Sequence, residues 1–142
     1  MEENKTNINW YPGHMSKAKR QIIQDLKLVD IVIEILDSRI PISSQNPDIR
    51  ELTKNKEKII VLNKSDLADD IQNDLWVRKF QSKGQKAILV DCNKGLGINK
   101  VLNTIENIFS LKKENFSEKG RVGKKARIMV VRNTKCWKIF FY

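Results

Sequence analysis

The sequence predicts an α/β fold: a mainly parallel sheet of about four strands flanked by helices. Three observations carry this. Apolar runs at residues 31–36, 58–62, 87–90 and 127–131 are short and rich in Ile and Val, as strands buried on both faces are. Between the runs lie segments whose apolar residues recur at helical spacing. The runs break into polar turns before the helical segments begin, the grammar of successive βα units.

Each element follows from local chemistry. Residues 1–9 are polar. Trp10-Tyr11-Pro12-Gly13-His14-Met15 is an aromatic turn leading into a helix, with Ser16 suited to cap it. Ile22, Ile23, Leu26 and Val29 give that helix an apolar side, opposite Lys17, Lys19, Arg20, Gln24 and Lys27. The first strand, 31–36, ends in Asp37-Ser38-Arg39, and a loop reaches Asn46-Pro47 before a short helix over 48–54. The 58–62 strand comes next. A helix over 68–82 follows, with Ile71, Leu75, Val77 and Phe80 partly on one face and Gly84 as its stop. Strand 87–90 leads to Gly95 and Gly97, which open a helix with the apolar set Ile98, Val101, Leu102, Ile105, Ile108 and Phe109. A basic linker over 112–125 precedes the 127–131 strand. The chain divides into an N-terminal segment and basic helix (1–29), an α/β body (30–131) and a tail (132–142).

With 142 residues and 40% apolar composition, the chain is one globular domain with its own core. Its formal net charge of +10 points to a polyanionic partner, most simply nucleic acid. Most of the excess lies late in the sequence, where ten Lys or Arg between 111 and 138 face only Glu114 and Glu118. Cys92 and Cys136 have no metal-like spacing and read as reduced thiols of a cytosolic protein. No membrane span or signal peptide is visible.

The chemistry concentrates at strand ends. Asn63-Lys64-Ser65-Asp66 follows the 58–62 strand at its carboxyl end, where open α/β sheets bind ligands. A carboxylate at Asp66 can accept two parallel hydrogen bonds from N1–H and the exocyclic amine of guanine, a donor pair adenine lacks. The stem of Lys64 can lie over the base, and Asn63 can tie the loop and reach the base edge. Four such residues alone read equally well as a solvated turn capped by Ser65 and Asp66. A second turn, Asp91-Cys92-Asn93-Lys94-Gly95, ends the next strand, and its backbone N–H groups can donate to a base oxygen such as guanine O6. The two turns lie one βα unit apart, so they belong at the same edge of the sheet, and together they predict a guanine site.

These motifs resemble the circularly permuted GTPases of the ribosome biogenesis GTPase A family. The resemblance covers residues 10–131 and rests on Trp10-Tyr-Pro-Gly-His-Met15 with Lys17-Ala-Lys-Arg20, on Asp37-Ser-Arg-Ile-Pro41 with Ser43-Ser44 and Asn46-Pro47, on Asn63-Lys-Ser-Asp66, and on the Asp91-Cys92 turn. In the permuted order the phosphate loop follows Asn-Lys-x-Asp, and none precedes Asn63 here. The resemblance implies part of a P-loop GTPase fold, binding of GTP or GDP through Asn63, Lys64, Ser65, Asp66, Asp91 and Cys92, and, in the intact family, a hydrolytic role for His14 and a Mg²⁺ ion. Cys92 departs from the Ser-Ala-Lys turn usual in GTPases, although a backbone donor needs no particular side chain. The implied partners are the large ribosomal subunit and its rRNA, in the cytoplasm. Asp37-Ser38-Arg39 reads either as a nucleotide contact or as a strand-end carboxylate paired with a nearby Arg.

The resemblance stops after Val131, where the family continues into Gly-x-Pro-Asn-Val-Gly-Lys-Ser, the loop that cradles phosphates and Mg²⁺. This chain reads Arg132-Asn-Thr-Lys-Cys-Trp-Lys-Ile-Phe-Phe-Tyr142. One choice of codons that would encode residues 132–141 is AGG AAT ACC AAA TGT TGG AAA ATC TTC TTT. Read one base on, they encode Gly-Ile-Pro-Asn-Val-Gly-Lys-Ser-Ser. The expectation is therefore a truncated form whose tail is frameshifted and has no stable place in the fold, the alternative being a genuine C-terminus of another kind. Guanine recognition is retained, and the phosphate loop and the Mg²⁺ site that goes with it are absent. The resemblance implies a GTPase, and this chain by itself is expected to be inactive. A non-enzymatic, basic rRNA-binding module and a non-functional remnant are the other readings.

Overall fold

The structure is a computed structural model that describes residues 13–117, 125–132 and 137–141, with side chains over 16–114 and 125–132. The elements run α1 (Gly13–Leu26), β1 (Ile31–Asp37), α2 (Pro47–Leu52), β2 (Glu57–Asn63), a 3₁₀ turn (Ser65–Leu67), α3 (Asp70–Ser82), β3 (Lys86–Leu89), α4 (Ile98–Ser117), β4 (Arg127–Arg132) and β5 (Trp137–Phe141).

The strands lie in the order β3-β2-β1-β4-β5. β1 pairs in parallel with β2 and with β4, and β2 with β3. The chain adds β2 and β3 on one side of β1, then crosses to add β4 on the other. The order thus reverses between β1 and β4, which is where sheets of this kind open a crevice at their carboxyl edge.

Alternation along the strands sorts side chains onto two faces. Ile31, Ile33, Ile59, Val61, Ile88 and Ile128 are buried with Val101, Ile105, Ile108 and Phe109 of α4. On the other face Val32, Met129 and Val131 pack with Ile22 and Leu26 of α1 and Ile49 of α2. Leu36, Ile60, Leu62 and Ala87 meet Phe80, Trp76 and Val77 of α3. Ile59, Ile60 and Leu62 are fully covered and Val61 nearly so, as the unbroken apolar run of β2 predicts.

Helix starts obey local chemistry. Asn46 caps α2 by accepting from the N–H of Asp48, with Pro47 at the first helical position. Asp69 caps α3 by accepting from the N–H of Gln72.

Three differences from the sequence reading have physical reasons. In α3 the inward stripe is Asn73, Trp76, Val77 and Phe80, at i, i+3, i+4, i+7. Ile71 and Leu75 point outward and are exposed. Burial of Asn73, held by a hydrogen bond, sets that rotation. Second, α4 runs to Ser117, so the basic stretch begins inside a helix. Third, the expectation that the tail stands outside the fold is corrected for its described residues, 132 and 137–141. Arg132 closes β4, and 137–141 form β5, antiparallel to β4 in the register Val131↔Trp137 to Arg127↔Phe141. Aromatic and β-branched residues favour strands, and β4 would otherwise offer an open edge.

Candidate guanine-nucleotide site

The parallel register places Asp37 beside Asn63 and Leu62 beside Leu89. The turns after β1, β2 and β3 therefore lie side by side at the carboxyl edge. Backbone hydrogen bonds lock them together: Ser38 N–H to Asn63 O at 2.8 Å, Val90 N–H to Leu62 O at 2.8 Å, and Ser65 N–H to Val90 O at 3.2 Å.

The Asn63 side chain ties the second and third turns. Its Oδ1 accepts from the backbone N–H of Cys92 at 3.2 Å. Lys64 adopts a left-handed backbone, φ 59°, the one such non-glycine residue among those described. That conformation costs roughly 1–2 kcal/mol for a residue with a Cβ. It turns the chain sharply from β2 into the 3₁₀ turn that carries Ser65 and Asp66. Asp66 is solvent-exposed, free to meet a ligand at the edge. From below, Asn73 of α3 donates Nδ2 to the carbonyl of Ser65 at 2.9 Å. At 3% exposure Asn73 is as buried as core apolar residues, and nothing in the motif pointed to it.

Asp91 is buried, and its Oδ1 accepts from the N–H groups of Asn93 and Lys94 at 3.0 and 3.2 Å. A reciprocal backbone pair, Asp91 with Leu96, closes the turn. Gly97, at φ 81°, packs so tightly against the backbone carbonyl of Leu89 that a Cβ could not fit. Asp91 thus shapes the turn from inside, while Cys92, a free and exposed thiol, offers its backbone at the surface.

Asp37 ends β1 and pairs with Arg39 through two hydrogen bonds, from Nε at 3.0 Å and Nη2 at 2.8 Å. These bonds hold the Asp37 carboxyl far below its ordinary range, so it is ionised at any pH near neutral. Lys64 Nζ lies 3.6 Å from Asp37 Oδ2. The pairing of Asp37 with Arg39 is the strand-end reading of this motif. A cavity of about 170 Å³ opens between the ends of β1 and β4, lined by Asp37, Ser43, Ser44, Asn63, Lys64 and Arg132.

The structure therefore brings together Asn63, Lys64, Ser65, Asp91 and Cys92, with Asp66 on the adjoining turn. His14 lies in the first turn of α1, and its side chain is outside the described residues, as are Trp10, Tyr11 and Pro12. Among the described residues no group of three or more His, Cys, Asp or Glu forms a metal site, and no helix is long and apolar enough to cross a membrane.

A mainly parallel α/β sheet with an Asn-Lys-x-Asp loop at its carboxyl edge and a crevice between β1 and β4 is part of a P-loop GTPase fold. The chain is homologous to the ribosome biogenesis GTPase A proteins. It is 39% identical over 124 residues to the Bacillus pumilus protein of that name, a match covering 87% of this chain and 44% of that one. It is 40% identical over 94 residues to mitochondrial ribosome-associated GTPase 1 of Mus musculus, covering 66% of this chain and 29% of the relative. The GNP-bound crystal structure of YlqF from T. maritima superposes with a TM-score of 0.60 at 30% identity, over 82% of this chain and 42% of that one. A GDP-bound YlqF structure gives 0.58 at 28% identity, over 80% and 41%. The chain spans less than half the length of these relatives. No family model matches it.

Proposed function

We propose that this chain is the base-recognising part of a GTP-binding protein of ribosome assembly, with the large subunit and its rRNA as partner. One observation carries the reading: the side chain of Asn63 holds the Asn-Lys-Ser-Asp loop against the N–H of Cys92. That bond makes two separate turns into one concave edge. In this reading Asp66 accepts from guanine N1–H and its exocyclic amine. Lys64 covers the base, and a backbone N–H of the Asp91-Cys92 turn donates to O6. The similarity to nucleotide-bound relatives supports guanine as the base.

The phosphate end is different. In a P-loop GTPase, backbone amides and a Lys of the phosphate loop hold the β- and γ-phosphates, and a Ser or Thr holds Mg²⁺. Residues 132–142 contain no Gly-x-x-x-x-Gly-Lys-Ser, so no residue of this chain fits Mg²⁺ by that route and no step here runs through it. The hydrolytic role that the resemblance gives to His14 needs a γ-phosphate beside it. This chain thus binds guanine nucleotides weakly, by their base.

The test is titration of the chain with GDP, ADP and xanthosine diphosphate, followed by fluorescence of a labelled nucleotide. GDP should bind preferentially. Asp66→Asn should lose that preference by about tenfold or more, the scale of one lost charge-assisted hydrogen bond pair. The variant should gain affinity for xanthine, whose 2-oxo group an amide can donate to. Equal binding of GDP and ADP by the unaltered chain would sink the reading.

A further inference from the structure

We infer that the amino edge of the sheet, opposite the nucleotide edge, is a binding groove for the sugar-phosphate backbone of RNA. The inference deepens the proposed role in ribosome assembly, on which its choice of RNA rests, by assigning the contact to one surface.

The groove consists of two adjoining cavities of about 440 and 350 Å³ that share Lys54, Lys56 and Glu57. One extends to Lys112 of α4, the other to Lys83 in the turn before β3 and Lys86 at its start. Six lysines converge here, Lys54 and Lys56 from the connection into β2, Lys58 from β2, Lys83 and Lys86 from the entry to β3, and Lys112 from α4. This is a real segregation of charge. Residues 1–111 hold 17 basic and 15 acidic side chains, almost in balance. The carboxyl edge interleaves Asp37, Asp66, Asp69 and Asp91 with Arg39, Lys64 and Lys94, whereas at the amino edge only Asp30 and Glu57 oppose the lysines and Arg50 among the lining residues. Polyanions are attracted to such an edge.

Two of the cations are fixed in advance. Lys56 Nζ donates to the carbonyl of Val29 at 2.9 Å, and Lys112 Nζ donates to the carbonyl of Asp30 at 2.8 Å. Each ammonium has three N–H donors, so two remain for phosphate oxygens. Because the side chains are already ordered, less rotamer entropy is lost when a phosphate arrives. Lys54 and Lys86 sit at the rim, within loose ion pairs of 3.4 and 3.5 Å to Glu51 and Glu57. Exposed pairs of this kind exchange easily for a phosphate. Among the described residues no aromatic side chain lines either cavity, so they offer no base stacking. The chemistry fits backbone recognition, which is independent of sequence. Strands β1 and β2 are seven residues long, which puts the two edges about 20 Å apart. RNA and nucleotide therefore bind without excluding each other.

The experiment measures binding of a fluorescein-labelled RNA hairpin by anisotropy over a salt series. The full chain is compared with Lys54→Gln/Lys83→Gln/Lys86→Gln and with a control, Lys17→Gln/Arg20→Gln/Lys79→Gln, on the helical surface. A thermal melt first confirms that both variants fold. The edge variant should lower the slope of log affinity against log salt by roughly two to three, at about 0.9 per duplex phosphate contact. It should also weaken binding by tenfold or more at low salt. The control should stay close to the unaltered chain. An edge variant that binds like the unaltered chain, a control that loses as much, or an unaltered chain that ignores RNA each overturns the inference. So does competition by an acidic peptide as effective as competition by RNA. GDP titration of the edge variant separates this claim from the guanine reading. RNA binding without GDP binding would leave the groove standing and remove the base pocket alone.

Discussion

Asn73 shows how much one buried amide can hold in place. Its Nδ2 bonds to the Ser65 carbonyl from α3, so the loop carrying Asp66 is anchored to a helix as well as to its own strand. Replacing Asn73 by Ala removes that bond and leaves the carbonyl to find water. The expected cost is about 1–2 kcal/mol in stability, measured by denaturant unfolding. GDP affinity should fall with it, by severalfold, because Asp66 loses its fixed position. Unchanged affinity would show that the 3₁₀ turn keeps its shape unaided. Asn73 was illegible in the sequence, since a polar residue in a helix reads as solvent-facing. Asn63, Lys64, Asp66 and the Asp91-Cys92 turn were legible because their spacing from a strand end is local, and strand ends in parallel sheets gather at one edge. The roles within the second turn were not. Asp91 is buried and shapes the backbone, a distinction that depends on the fold of residues 91–97 and not on residue type.

At the scale of elements, β2 was the most readable part of the chain, because a short, β-branched apolar run bounded by polar residues fits a strand covered on both faces, as observed. Helix α3 was read with the wrong rotation for the reason that hid Asn73. Two of its apolar residues, Ile71 and Leu75, are exposed, and a polar one takes their place inside. The strands also hold one pair that no alternation pattern announces. Lys58 of β2 meets Glu34 of β1 at 3.1 Å, with side chains 9% and 3% exposed. Breaking a buried ion pair from one side strands a charge. Lys58→Met should therefore destabilise the fold by about 3–5 kcal/mol, while Lys58→Met with Glu34→Leu should be close to neutral. Chemical denaturation of the two variants checks this. A single variant as stable as the double would mean that water reaches Glu34.

For the molecule as a whole, the division of labour between the sheet's two halves governs activity. In the proposed reading, base recognition belongs to the turns after β2 and β3, and phosphate chemistry in a P-loop fold belongs to the loop after β4. In this chain β4 is followed in sequence by β5 instead. Phosphate release from GTP by the 142-residue chain should be negligible, even with purified large ribosomal subunits. A form whose residues from 132 read Gly-Ile-Pro-Asn-Val-Gly-Lys-Ser-Ser and then continue in that frame should regain it. Turnover by the chain as it stands, abolished by His14→Ala, would refute both this and the proposed reading of the tail. The α/β architecture was legible throughout because βα units repeat. The pairing of 137–141 with β4 was not, since it depends on a sheet edge that exists only once β4 is in place.

The reversal of strand order beside β1 has a consequence for how the chain folds. β1 acquires β2 through one short connection, whereas its other neighbour, β4, arrives about 97 residues downstream, the separation of the Asp30–Arg127 hydrogen bond. Loop closure makes the distant pairing slower than the near ones. Residues 31–90 should therefore assemble first, with the Asn63–Cys92 tie forming at their border. The α4 face of the half-built sheet then waits uncovered for β4 and α4. Pulse-labelling hydrogen exchange during refolding should show β2 amides protected before those of β4. Simultaneous protection would mean that the sheet forms in one concerted step.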